Sequence, residues 1–200
     1  MVVSPPRSVV AIDGLDGSGK SQFAAALAAA CAAGGVAATV IHVDDFRREL
    51  DFAGLDADAE AALYYERYFE LAALDGKLAS FAAGSAGPGG ADLAIVEGVF
   101  TLRVPTVAAA AALVALTVSP DEARRRILGR DRQKGRTDDD INHRIAHRYF
   151  PAQQRYRAAF DVMGRAAAVV DNDDWRSPRV VRHAPGQLPA PIERFLDGLA

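Results

Sequence analysis

Gly14-Leu15-Asp16-Gly17-Ser18-Gly19-Lys20-Ser21 fits the pattern G-x-x-x-x-G-K-[ST], a spacing that can cradle a chain of phosphates. Glycines let such a loop aim successive backbone N–H groups inward, and a helix starting there adds a partial positive charge for the anion. All eight residues, Gly14, Leu15, Asp16, Gly17, Ser18, Gly19, Lys20 and Ser21, are therefore expected at the phosphates of a nucleotide. In that frame Lys20 reaches the β- and γ-phosphates, and the Ser21 hydroxyl is a ligand for Mg²⁺. A chance glycine-rich turn is the plain alternative. The place of this segment, after an apolar run and before a helix-forming one, argues against it.

Further candidates follow other apolar runs. Asp44-Asp45-Phe46 closes the run Thr39–Val43, where an acceptor hydroxyl could approach a γ-phosphate, so Asp44 is read as the group that orients and deprotonates it. Without the cradle, an Asp pair there would read as a turn or a cap. Glu97 follows Ala94-Ile95-Val96 and is the expected carboxylate on the metal side, holding Mg²⁺ directly or through its water shell. Arg124, Arg125, Arg126, Arg130, Arg132 and Arg136, with Lys134, form a basic cluster. Arg126 and Arg130 are i,i+4 neighbours on a helix, and 131–136 can fold over a nucleotide as a lid. Arg125, Arg130 and Arg136 are its expected charge-stabilising residues, since arginines on a closing lid offset charge spread over a transferring phosphoryl group.

These residues need a scaffold. Ser8–Asp13 (SVVAID) reads as a buried strand, Ser21–Ala33 as a helix ended by Gly34-Gly35, and Thr39–Val43 as the next strand. Asp58–Ala79 reads as one long helix carrying Tyr64, Tyr65, Tyr68 and Phe69, and Ala83–Asp92 as a glycine-rich loop. Leu93–Val96 and Leu113–Val118 are further strands. Ser119 can cap, and Pro120 can open, a helix running to about Arg132. Asp138–Phe160 reads as helical with a kink or restart at Pro151, Ala167–Asp171 as the last strand, and Ile192–Leu199 as a short helix. Strands alternating with helices imply a single α/β domain, residues 1–200, in three layers around a five-stranded parallel sheet, with an arginine-rich lid at about 125–140.

Composition bounds the class. The 200 residues are 50% hydrophobic and 24% charged with a formal net charge of −3, so no global basic footprint for nucleic acid exists. The basic cluster also lacks the aromatic interleaving of single-strand binders. The single cysteine, Cys31, permits no intrachain disulfide and reads as a small buried hydrophobe, in keeping with a cytoplasmic setting. Met1–Ser8 lacks the apolar core of a signal peptide, and no uncharged apolar run reaches the ~18 residues a membrane span requires, so no membrane partner is expected.

Together these residues resemble the uridine kinase-like branch of P-loop kinases, which includes phosphoribulokinase and bacterial pantothenate kinase. The likeness spans about Val9 to Asp173. Its parts are Gly14–Ser21, Asp44-Asp45-Phe46-Arg47, Ile95-Val96-Glu97-Gly98-Val99-Phe100, Arg125-Arg126-Ile127-Leu128 with Arg130-Asp131, Lys134-Gly135-Arg136, and Tyr149-Phe150-Pro151. The resemblance implies ATP and Mg²⁺ as cofactors, Asp44 as catalytic base, Glu97 on the magnesium side, Asn172 beside adenine, and phosphorylation of a hydroxyl on a nucleoside or related small metabolite. It departs in one segment. Uridine kinases carry a hairpin with an aromatic and histidine motif before the third-strand Glu, whereas here that interval, Phe81–Asp92, is mostly Gly and Ala. The acceptor pocket is accordingly expected from Asp44, Phe46, Arg47, Tyr65 and Arg67, with Tyr64 and Tyr68 near them.

The leading expectation is an alcohol-directed phosphotransferase acting as a monomer or homodimer. The alternative is a nucleotide-dependent switch or assembly ATPase whose output is a protein partner, although no guanine-reading N-K-x-D occurs. His143 and His147 stand four residues apart with no Glu or Cys between them, and are read as an exposed helix face. Trp175 is read as local packing.

Overall fold

The computed structural model describes residues 7–84, 90–110 and 112–199. The first six residues, on which the leader-peptide reading rests, and 85–89 of the glycine-rich loop lie outside the described residues. Strand β1 (Ser8–Gly14) lies at the centre of a sheet whose order is β2-β3-β1-β4-β5-β6, where β2 is Ala38–His42, β3 Leu93–Gly98, β4 Leu113–Thr117, β5 Ala168–Asp171 and β6 Arg179–His183. The first five strands of that order run parallel, as expected. The sixth corrects the strand count: β6 pairs antiparallel with β5, placing Ala168 opposite His183 and Asp171 opposite Arg179. An edge strand with one solvated face can carry charge, and arginines at 179 and 182 conceal it in a sequence searched for apolar runs.

The central strands are buried on both faces, which is why they read as continuous apolar runs. Side chains alternate between two cores. Val9, Ala11, Ala94, Val96, Leu113 and Ala115 face one, and Val10, Ile12, Ile95, Val114 and Leu116 face the other. Helices α1 (Lys20–Ala33) and α9 (Ala190–Asp197) cover the second with Phe23, Leu27, Cys31, Ile192 and Leu196. Helices α2 (Ala57–Arg67), α3 (Leu71–Ala82), α4 (Pro105–Ala110), α7 (Phe150–Ala159) and α8 (Val162–Arg165) cover the first. The result is the expected three-layer α/β arrangement. Truncating a fully buried residue such as Ile12 to Ala would cost about 2–5 kcal/mol.

One helical reading is corrected. The long helix expected over 58–79 breaks between α2 and α3, because Phe69 forms a bridge with Arg47 while Arg48 N–H donates to Tyr68 O at 2.8 Å and Glu70 N–H to Phe46 O at 2.8 Å. Backbone pairing with a distant segment outweighs local helix preference there, and it anchors the chain just after Asp44. The kink or restart expected at Pro151 is present, as α7 opens at Phe150 with Pro151 in its first turn, and a widened turn precedes it. Helix α5 (Pro120–Arg132) is followed by α6 (Asp138–Arg144), a π-helical turn over Ile145–Tyr149, and then α7. Proline's ring crowds the carbonyl four residues back, here that of His147, and a π turn enlarges the helix at that point; Phe150 N–H reaches back to Ile145 O. Ile127, Ile141 and Ile145 form a small separate core that holds α5 against α6. Among the described residues no helix is long and apolar enough to cross a membrane.

Candidate functional site

The carboxyl ends of β1, β2, β3 and β5 converge on one side of the sheet, where ligands of open parallel sheets gather. After β1 the loop takes φ +79° at Gly17 and +85° at Gly19, a backbone region that side chains resist, and Gly19 leads into α1. The loop is also clamped. A Cβ on Gly17 would lie 2.5 Å from the Ala123 carbonyl oxygen, and one on Gly19 2.6 Å from Asn172 Nδ2. Asn172 Nδ2 donates to Ser18 O at 2.6 Å, while the Arg126 guanidinium spans Gly17 O at 3.2 Å, Asn172 O at 2.8 Å and Asp173 O at 2.7 Å. Arg126 thereby ties α5 to the loop and to the end of β5.

Lys20 is folded into the loop, its Nζ donating to Leu15 O at 2.8 Å. Ser21 Oγ donates to Glu97 Oε1 at 2.9 Å, and His42 Nδ1 lies 2.5 Å from the same oxygen. A serine hydroxyl facing a buried carboxylate is an all-oxygen donor set that suits magnesium, and it stands at the start of α1 beside the glycine cradle. Asp16 and Gln153 bond reciprocally, Asp16 N–H to Gln153 Oε1 at 3.0 Å and Gln153 Nε2 to Asp16 Oδ2 at 2.7 Å, which pins the loop to α7. Burial raises the Asp16 pKa above the usual carboxylate value despite the positive charges of Lys20 and Arg130, and nearby Asp44 pushes it the same way. Deeper still, Asp13 accepts from Thr101 N–H at 3.0 Å, Thr101 Oγ1 at 2.6 Å and Tyr156 Oη at 2.8 Å; burial raises its pKa too.

These elements enclose a cavity of about 460 Å³. Of the residues singled out in the sequence, Asp16, Gly17, Gly19, Lys20, Ser21, Asp44, Glu97, Gly98, Val99, Arg125, Arg126, Arg130 and Trp175 line it. Gly14, Leu15 and Ser18 belong to the loop but not to the wall. The others lie elsewhere. Arg136 Nη1 donates to Asp131 Oδ2 at 2.6 Å, and Arg130 Nε to Asp131 Oδ1 at 2.7 Å, so a buried Asp131 gathers the lid's cations. Burial alone would raise its pKa, but the hydrogen bond from Arg130 and the charges of Arg130, Arg136 and Lys134 hold it below the usual range. Phe46 packs on the first core, and Arg47 Nε donates to Asp44 O at 2.8 Å. Tyr65 rests edge-on against Phe100 at 5.3 Å with the Arg103 guanidinium 4.2 Å above its ring, and Arg67 is exposed at the end of α2. Asn172 spends its side chain on the loop rather than on the cavity.

Trp175, read from the sequence as local packing, is a wall of this cavity; it is half-exposed, with the Arg176 guanidinium 4.8 Å from its ring centre. Gln153 and His42 were equally silent in the sequence, because their roles rest on partners 137 and 55 residues away.

No protein-family model and no curated protein sequence matches the chain. Solved structures do. One described as a candidate fructose transport system kinase from Silicibacter sp. TM1040 is 22% identical with a TM-score of 0.59, covering 79% of this chain and 88% of its own. A candidate uridine kinase from Bacillus stearothermophilus is 20% identical with a TM-score of 0.61, covering 84% and 90%. The chain shares the fold of these two structures. The YGR205w protein shares this fold at 14% identity and a TM-score of 0.52, covering 84% of this chain and 85% of its own. At these identities the likeness is one of fold, and the chemistry has to be read from the residues that the fold positions here.

Proposed function

We propose that this protein transfers the γ-phosphoryl group of ATP to a hydroxyl of a small metabolite, with Mg²⁺ as the metal. The observation that carries this reading is a single cavity walled by Gly17, Gly19, Lys20, Ser21, Glu97, Asp44, Arg125 and Arg130. A phosphate cradle, a metal-side carboxylate, a candidate base and cations thus face one volume. Phosphoryl transfer asks for positioning and charge stabilisation, and that set supplies both.

In this reading the backbone N–H groups of the glycine loop and the ammonium of Lys20 hold the phosphates. Lys20 must then exchange its bond to Leu15 O for phosphate oxygens. Ser21 and Glu97 would hold Mg²⁺, which supplies neutralisation of charge on the phosphate oxygens. Asp44 stands at the start of the 43–46 turn after β2, with an exposed side chain 3.9 Å from Arg47 Nη1. There it orients the acceptor hydroxyl and takes its proton. Arg130, 3.8 Å from Asp16 Oδ1, and Arg125 offset charge on the transferring group from the lid side. Trp175 offers an aromatic face for the base of the nucleotide.

The acceptor is proposed to be an alcohol of a nucleoside, sugar or vitamin-like metabolite. Incubation of purified protein with γ-labelled ATP and Mg²⁺ against a panel of nucleosides, sugars and pantothenate-like alcohols tests this. Label moving to one organic product is the expected result. Acceptor-independent release of label as inorganic phosphate, stimulated by no small molecule, would favour an ATPase switch instead.

A further inference from the structure

A second cavity of about 480 Å³ opens to solvent between the 50–55 loop, α2 and the arm that follows the lid, lined by Asp51, Phe52, Glu60, His143, Arg144 and Arg148 among others. The sequence gives no hint that Glu60 belongs with the histidines, because 83 residues separate it from His143. In the folded chain Glu60 is buried, and His143 Nε2 lies 2.8 Å from its Oε1. The rings of His143 and His147 are 4.1 Å apart. Glu60, His143 and His147 each offer one ligand atom, and these atoms lie within 4.8 Å of one another.

We propose that Glu60, His143 and His147 form a binding site for a divalent transition metal of the zinc class, separate from the nucleotide cavity. Two imidazoles and one carboxylate are a donor set that such metals accept, with ligand bonds of about 2.0–2.2 Å and a fourth position left for solvent. Donor atoms around one ion at those bond lengths stand about 3.3–3.6 Å apart, so metal entry would open the 2.8 Å His143–Glu60 contact, and the other donor atoms, within 4.8 Å of one another, would adjust to match. Two features prepare the site. The π-helical turn over Ile145–Tyr149 sets the relative placement of the two histidines, and such turns recur where a helix must carry function. Glu60 has two oxygens, and Arg148 Nε occupies the other, Oε2, at 2.5 Å, while the Arg148 guanidinium lies 3.9 Å from the Phe52 ring centre. The carboxylate is therefore held from behind, as a metal-bound carboxylate commonly is, with Oε1 left on the histidine side.

A metal here would join α2, which carries Tyr64, Tyr65 and Arg67, to the helical arm behind the lid. Its effect is a staple between α2 and that arm, so binding should stabilise the folded state.

Full-length protein stripped with chelator is titrated with Zn²⁺ against a chromophoric competitor, and with Co²⁺ read by its visible absorption. Wild type and Glu97→Gln should both take up one equivalent and gain thermal stability, which separates this site from the Ser21–Glu97 position. His147→Ala keeps the Glu60–His143 and Glu60–Arg148 contacts and should lose more than about tenfold in affinity, along with the stabilisation. His147→Gln serves if the alanine variant does not fold, and should show the same loss. Wild-type protein that yields all Zn²⁺ to the competitor, or a His147 variant that binds as wild type does, would overturn the proposal and leave the cluster a plain ion-pair lock.

Discussion

Ser21 Oγ and Glu97 Oε1 lie 2.9 Å apart although 76 residues separate them, because parallel pairing of β1 with β3 sets Ile12 opposite Glu97 and brings both strand ends to the start of α1. The pair thus depends on sheet register: a shift of one residue would turn Glu97 to the opposite face. If the two groups serve one metal, Ser21→Ala and Glu97→Gln should each raise the Mg²⁺ concentration needed for half-maximal turnover. The double variant should be little worse than the weaker single one, since groups that share a partner are not additive. Mg²⁺ titrations of the three variants check this.

The loop glycines are clamped as well as bent. Gly17→Ala combines a φ of +79° with a Cβ 2.5 Å from the Ala123 carbonyl oxygen, so the loop or the start of α5 must move. Backbone strain alone costs about 1–3 kcal/mol. Thermal melts should show that loss together with weakened nucleotide binding by calorimetry, whereas Gly35→Ala, which also has positive φ but nothing within 4 Å, should leave nucleotide binding intact.

Trp175 is the single tryptophan of the chain and a wall of the cavity, so intrinsic fluorescence reports on that site alone. Addition of Mg·ATP should change its emission in a saturable way. Trp175→Phe should raise KM for ATP modestly with kcat nearly unchanged, as expected for a contact made equally in the ground and transition states.

Glu122 accepts from Arg125 Nε at 2.6 Å and Arg126 Nε at 2.6 Å, and these bonds, led by that of Arg125, lower its pKa to about 2. A carboxyl depressed in the folded state binds its proton more readily when unfolded. It therefore contributes stability above the ordinary value near 4.5 that is lost as pH falls toward about 2. Wild-type stability should drop across that window, and Glu122→Gln should show a flatter acid limb in pH-dependent denaturant melts.

Tyr156 Oη donates to Asp13 at 2.8 Å and accepts from Leu102 N–H at 3.0 Å, all three buried. Tyr156→Phe strands the Leu102 N–H and removes one of three donors from Asp13, and should cost about 1–3 kcal/mol in denaturant unfolding. The bond lies beneath the loop rather than in the cavity, so KM for ATP should move little.

Much of this was legible in the sequence, and the reason differs by element. Doubly buried parallel strands write themselves as SVVAID or LAIV, and the glycine loop writes its own geometry. β6 stayed hidden because an edge strand can carry arginines on its solvated side. The break between α2 and α3 depended on Phe69 meeting Arg47, a pairing no local pattern encodes. At the site, residues that end strands were visible by position. Trp175, Gln153, His42 and Glu60 were not, since each takes its meaning from a partner more than 50 residues away or from a cavity wall built by several elements.

The central claim is that Asp44 activates an acceptor hydroxyl facing a phosphate held by the glycine loop. Asp44→Asn, assayed for acceptor phosphorylation with Mg·ATP binding followed in parallel by Trp175 fluorescence, tests it most directly. The account predicts a fall of about 10²–10⁴-fold in turnover with ATP affinity close to wild type, the signature of a lost general base. Wild-type turnover in Asp44→Asn, with ATP still bound, would contradict it.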